Sequence, residues 1–134
     1  MKDQEQSYPF CGESVEKRCV GRVGSMLAVR DRFPVTPLHT LVLPGRHVSD
    51  YCDLRPEERA DAVSLLRVLR GEILKENPHV TRFNVGANCG ASAGQTNMHV
   101  HIHSIPRRDG ELDNPRGGVR GVIPKKMDHE NLDH

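Results

Sequence analysis

Histidine falls at every second position in NMHVHIHSI, residues 97–105. A period of two is the repeat of a β-strand, whose successive side chains point to opposite faces of a sheet. His99, His101 and His103 therefore predict one polar face, and Met98, Val100, Ile102 and Ser104 predict the face turned to a core. The remaining segments must supply the rest of the sheet and its cover. MLAV at 26–29 and HTLVL at 39–43 read as strands of branched and apolar residues, and TRFNVGAN, from Thr81, reads as another. The cover is in DLRPEERADAVSLLRVLRGEILKENP, where Ala62, Leu65, Leu66, Leu69 and Ile73 recur at helical steps and make one apolar stripe. Pro56 suits its first turn, Glu57 and Glu58 suit its positive dipole end, and Asn77-Pro78 stops it. Gly71 inside this helix costs on the order of 1 kcal/mol relative to alanine.

Residues 1–10 read as a lead-in, residues 12–24 as a short helix and a turn, and the Arg/Gly-rich stretch 107–134 as a tail of loop. Strands mixed with one long helix predict an α+β fold, a sheet with a helix on one face, in a single domain over 1–134. The 19 basic and 18 acidic residues leave a net charge of +1, which argues against nucleic acid as a partner. No apolar run approaches 18 residues, so no membrane helix is expected, and the polar start MKDQEQSYPF lacks the apolar stretch of a secretory signal. Cys11, Cys19, Cys52 and Cys89 form no C-x-x-C pair, and reduced thiols in a cytoplasmic protein are expected.

Along a strand, alternate histidines stand roughly 6.6–7 Å apart, too far for all three to bind one small atom. They suit an exposed polar face, a metal site using fewer of them, or catalysis, since neutral imidazole serves as ligand, acid, base and nucleophile. The loop before the strand favours the last. Gly86, Asn88, Gly90, Gly94, Gln95 and Thr96 frame it, and glycines let backbone N–H groups close on an anion. A phosphate beside a row of imidazoles follows.

The segments RDRFPVTPLHTLVLPGRH and FNVGANCGASAGQTNMHVHIHSIPRR together resemble the histidine triad (HIT) family, and NPRGGVRGVIPKK resembles its bacterial members near the fragile-histidine-triad and dinucleoside polyphosphate hydrolase branch. The resemblance runs from about Tyr8 to Lys126. It implies a HIT fold: an antiparallel sheet of about five strands, one long helix and a short N-terminal helix, in a homodimer. It also implies a small-molecule nucleotide substrate. His101 would attack the α-phosphorus and form a covalent nucleotidyl-histidine, releasing AMP from adenosine-containing phosphoanhydrides. His99 and His103 would flank it, positioning the ring and donating to phosphate oxygens, with His39 as the fourth histidine, hydrogen-bonded within the cluster. Asp31 would grip the ribose hydroxyls, Asn88 the phosphate side of the nucleotide, and Gln95 and Thr96 the phosphate. Phe33 and Leu27 would wall the base. The resemblance admits adenosine phosphoramidate or adenylylsulfate as substrates instead, and a nucleotide-binding module without turnover is a rival.

The chain also departs from the family. Many bacterial members hold zinc on a C-x-x-C pair and two histidines, but here Tyr8 stands at the first cysteine, leaving Cys11, His47 and His99. Three ligands argue against a structural zinc, so no metal residue and no tightly held cofactor is expected, and Mg²⁺ would arrive with the substrate. Ser104 places a hydroxyl on the core face, where it needs a partner. Arg107, Arg108, Arg116 and Arg120 are candidates to neutralise a polyphosphate.

Overall fold

The structure, a computed structural model, describes residues 13–128. Helix α1 (Glu13–Arg18) leads into β1 (Cys19–Val23), β2 (Met26–Arg30) and β3 (Thr40–Pro44); α2 (Pro56–Glu76) follows, then β4 (Val80–Gly86) and β5 (Ile102–Arg108). The five strands form one antiparallel sheet in the order β1-β2-β3-β5-β4. This is the α+β architecture expected from the sequence, with one long and one short helix. The expected lead-in, residues 1–10, lies outside the described residues.

Two boundaries differ from the sequence reading. Residues 19–23, expected as a turn, are a strand joined to β2 by a tight hairpin. Gly24 there has φ +54°, and a Cβ on it would meet the Asp61 carboxylate at 2.4 Å. Glycine is needed on both counts. Asp61, from α2, accepts from the Ser25 backbone N–H (3.0 Å) and hydroxyl (2.8 Å), so the helix holds the hairpin. The histidine strand pairs later than expected. β5 begins at Ile102 and runs on to Arg108, into the stretch read as loop, because Val80–Gly86 gives it a partner over that length.

The central strands are covered on both faces, which is why Met26 to Val29 of β2 and Leu41 to Leu43 of β3 are apolar. Met26, Ala28 and Val42 pack with Leu65 and Leu69 of α2, while Leu27, Val29, Leu41 and Leu43 pack with Val15 of α1. Val100 and Ile102 join the α2 side, as the alternation predicts. Ser104 is buried on that side too, at a small groove between β4 and α2 lined by Leu66 and Phe83. Its hydroxyl thus meets a groove instead of the sealed core.

Helix α2 buries Ala62, Leu65, Leu69 and Ile73 at its expected stripe, and the stripe also includes Glu58. That carboxylate accepts the Arg55 backbone N–H at 2.8 Å and both Arg46 contacts at 2.8 Å. Arg46 holds the Glu58 carboxyl below its ordinary value, against the opposing effect of burial. Gly71 faces open space. Gly71→Ala should therefore stabilise the protein by about 0.5–1 kcal/mol, read as a higher denaturant midpoint in urea. A neutral or destabilising result would show that the helix needs flexibility there.

Candidate functional site

The loop 31–39 carries one side of the site and is closed at both ends. The Asp31 N–H donates to the His39 carbonyl at 2.9 Å, and the Phe33 N–H donates to Asp31 Oδ1 at 2.9 Å. The His39 N–H then donates to Thr36 O at 3.1 Å across Pro37 and Leu38. Proline second and a positive φ third define a turn that ordinarily takes glycine in third place. Here Leu38 has φ +73°. Strain of about 1–2 kcal/mol therefore sits one residue before His39.

β3 pairs with β5 so that Leu41 lies opposite His103. His39 Nε2 thereby comes to 2.9 Å from His103 Nδ1, with the two ring centroids 5.1 Å apart. The His101 and His103 centroids are 5.0 Å apart, closer than extended-strand spacing because His101 precedes the ladder.

The partners fix where each proton sits. A backbone N–H can only donate, and Val35 N–H points at His39 Nδ1 at 3.1 Å. The neutral His39 ring therefore carries its proton on Nε2 and donates it to His103 Nδ1. His103 in turn keeps its proton on Nε2. His101 Nδ1 lies 2.9 Å from the His99 carbonyl oxygen, which can only accept. Its proton is thus on Nδ1, and Nε2 carries the lone pair. A carbonyl and an amide N–H, both backbone groups, set the tautomers at the two ends of the cluster.

Burial favours the neutral form of His39, His99 and His103. Burial pushes the His103 imidazole down to about 4, helped by the neighbouring His101 and His39 rings and opposed by Asp31. Burial also lowers His39, with Asp31 opposing, and lowers His99, with the Pro44 carbonyl opposing.

The sequence-predicted residues fall into three groups. His39, His101, His103 and Asp31 come together, with Asp31 Oδ2 at 3.5 Å from His39 Nε2. Asn88 lines the cavity that opens at His39 and His103, and Thr96 is exposed on the loop before the triad. The others take different parts. His99 is fully buried, and its Nε2 donates to the Pro44 carbonyl at 2.8 Å, so it contributes its main chain instead of donating to phosphate. Gln95 is buried: its amide donates to Ser49 O and Asn97 O and accepts the Gly90 N–H, which pins the loop from inside. Leu27 is 2% exposed within the α1-side core and so presents no surface to a base, while Phe33 is 87% exposed two positions after Asp31.

Asp31, His39 and His103 bring three donor atoms within 4.8 Å of one another. The proton that Val35 forces onto His39 Nε2 stands where a metal would have to bind, so this trio is built to share a proton. At the family's zinc position, the His47 and His99 rings meet edge-on at 5.2 Å. His99 Nε2 donates to the Pro44 carbonyl, so the neutral ring carries no proton on Nδ1. These two imidazoles suit half a zinc site; Tyr8 and Cys11 lie outside the described residues.

Alternation continued past residue 105 would have placed Arg107, a candidate to neutralise a polyphosphate, on the strand. Arg107 lies on the same face as His103 and Ile105, and all three line a cavity of about 650 Å³. Of the other arginines, Arg108 donates to the Pro37 carbonyl, Arg116 lies 3.8 Å from Asp128, and Arg120 donates to the Lys126 carbonyl.

Residues 13–110 match the HIT domain family, and the chain belongs to it. It is 40% identical over 92 residues to an uncharacterised HIT-like protein of Mycobacterium tuberculosis, an alignment covering 66% of this chain and 60% of that one. It is 36% identical over 79 residues to the asymmetrical bis(5'-nucleosyl)-tetraphosphatase of Schizosaccharomyces pombe, covering 59% and 43%. The chain thus spans somewhat over half, or less, of these curated relatives. Among solved structures, it resembles a zinc-bound histidine triad family protein from Mycobacterium smegmatis (TM-score 0.63, 29% identity, 80% and 79% covered). It also resembles the Plasmodium falciparum diadenosine triphosphate hydrolase (TM-score 0.62, 28% identity, 74% and 67% covered).

The lowered His103 pKa gives a pH dependence with a definite sign. A histidine depressed in the fold contributes stability that is complete above its unfolded value, near 6.5, and is lost as pH falls through the folded value of about 4. Ring NMR should find His103 neutral at pH 5.5 and protonating near 4. A midpoint at 6 or above would contradict the burial that defines the site.

Proposed function

We propose that this chain is a nucleotidyl hydrolase that cleaves adenosine-containing phosphoanhydrides of the dinucleoside polyphosphate type and releases AMP. The observation that carries the reading is the proton order, which leaves His101 Nε2 as a lone pair while His103 Nε2 holds a hydrogen. In the first step His101 Nε2 attacks the α-phosphorus. A P–N bond forms, and the P–O bond to the departing phosphate breaks with its electron pair. His103 donates to a non-bridging oxygen as charge develops there. Water then attacks the same phosphorus, the P–N bond breaks with its electron pair returning to His101 Nε2, and AMP leaves while the water's proton passes to solvent. The names of the yeast tetraphosphatase and the malarial triphosphate hydrolase support this substrate class.

Asp31 fits the ribose role through Oδ2, since Oδ1 already holds the Phe33 N–H. The backbone N–H groups of the loop held by Gln95, with Thr96, fit the phosphate. Mg²⁺ enters with the polyphosphate, shielding its oxygens. No structural zinc is proposed, because Tyr8 supplies no thiolate; elemental analysis showing stoichiometric zinc would reverse this. The same reading places the protein in the cytoplasm, where the free thiols Cys19, Cys52 and Cys89 stay reduced. Among the described residues no helix is long and apolar enough to cross a membrane. A homodimer is proposed, since the sheet ends at β4, and Val85 on it and Val63 on α2 are exposed.

His101→Asn keeps a polar side chain but removes the attacking nitrogen. It should lower kcat on diadenosine tetraphosphate by on the order of 10⁴-fold while AMP still binds in calorimetry. Acid-quenched wild-type enzyme should carry AMP on His101 by mass spectrometry. Turnover by the variant at the wild-type rate would remove the mechanism.

A further inference from the structure

We propose that the groove between α2 and β4 is an oxyanion site, filled by inorganic phosphate, and that the bound anion joins two copies of this chain. The inference rests on the homodimer proposed above and adds a ligand to its contact. The groove lies on the face of the sheet turned to α2, opposite the reactive histidines. Val63, Arg67 and Arg70 line it from the helix at i, i+4 and i+7, which makes one stripe beside the buried one. Val85 and Ser104 line it from the sheet, paired across β4 and β5, and Arg82 comes from the edge strand.

Charge supplies the first argument. Arg67, Arg70 and Arg82 line the groove, and no acidic side chain does. Among the described residues Arg67 and Arg70 make no ion pair or side-chain hydrogen bond, and Arg82 donates only to the adjacent Thr81 carbonyl. Elsewhere the chain supplies the counter-charge itself, as Glu58 does for Arg46 and Glu111 for Arg107. Cations gathered around a concave surface without a counter-charge raise the local concentration of anions. Guanidinium forks match the oxygens of a phosphate in pairs.

Ser104 supplies the second. It is 4% exposed, and its hydroxyl has no hydrogen-bond partner among the described residues. Its place in the ladder uses the backbone alone, so the O–H is an unmet donor that opens on the groove. An oxyanion seated there accepts this O–H together with N–H groups of the arginines. The groove measures about 210 Å³, below the roughly 300–1,000 Å³ of ordinary small-molecule sites. That volume suits a single phosphate and is too small for a nucleotide.

The homodimer supplies the third. Val63 and Val85, the exposed apolar residues that a second copy would cover, are themselves walls of the groove. In a two-fold contact each copy presents the same patch. Covering these valines therefore brings a second set of the same arginines to the contact. Like charges set together oppose association, and an anion with two or more negative charges offsets them. Phosphate bound in the groove thus turns a repulsive rim into a bridge.

Sedimentation velocity on the full chain tests this, with sodium phosphate exchanged for sodium chloride at constant ionic strength so that screening stays fixed. Millimolar phosphate should lower the wild-type dimer dissociation constant by about tenfold. The double variant Arg67→Gln, Arg70→Gln changes two exposed positions and should dimerise to the same extent in both salts. Ser104→Ala keeps every arginine and removes a hydroxyl that has no partner to lose, so the fold should tolerate it. It should raise the phosphate concentration needed by about tenfold. A wild type equally dimeric in both salts would overturn the anion site and leave the homodimer standing. A double variant that still responds to phosphate would overturn the site as well. A wild type monomeric in both salts would end the homodimer and this proposal together. Sedimentation reads assembly alone, so none of these outcomes touches the hydrolase reading.

Discussion

The pairing of β3 against β5 is the constraint from which the site follows. These strands are far apart in sequence, and their register sets Leu41 opposite His103, which brings His39 to hydrogen-bond distance of a ring 64 positions later. Register errors in a sheet are severe because a slip of one residue turns every side chain to the other face. Here a slip would bury the histidines among Ala28, Val42 and Leu65 and expose Ile102. The apolar face of β5 therefore holds the reactive face in position, and the core is the means by which the chemistry is aligned.

On that frame the chain sets protonation states with its backbone. The Val35 amide faces a nitrogen of His39 and the His99 carbonyl a nitrogen of His101, and His103 inherits its tautomer through His39. Backbone groups suit this task because they cannot change their donor or acceptor character. Burial completes the arrangement by keeping His39 and His103 uncharged. Strain at Leu38, immediately before His39, shows the fold overriding a local preference beside the site. Asp61 and Glu58 do similar positioning work elsewhere, one fastening the β1–β2 turn and the other closing the start of α2 while holding Arg46.

The alternation and the helical stripe were both legible in the sequence, because each is a local periodicity fixed by backbone geometry. Val100, Ile102, Leu65 and Leu69 all turned inward where their spacing put them. The errors lie where a partner decides. Residues 19–23, with glycine in the middle, lack a strand signature and become a strand because β2 pairs with them. Arg107 and Arg108 look like tail and are strand because β4 runs beside them. His99 shares the spacing of its neighbours but precedes the ladder, and so turns its ring to Pro44. Leu27 was assigned by likeness, and its burial in the α1-side core came from a layer position that a single segment does not encode.

The sequence by itself determined that there would be a one-sided histidine strand, a glycine-rich loop before it and an amphipathic helix to cover a sheet, since these depend on residues within a few positions of each other. Only the tertiary structure decided which nitrogen of His101 is the base, which histidine is spent on the fold, and that the returning segment walls a cavity beside the triad. Those outcomes depend on single hydrogen bonds and burial between residues brought together by folding, and a linear pattern carries no measure of either.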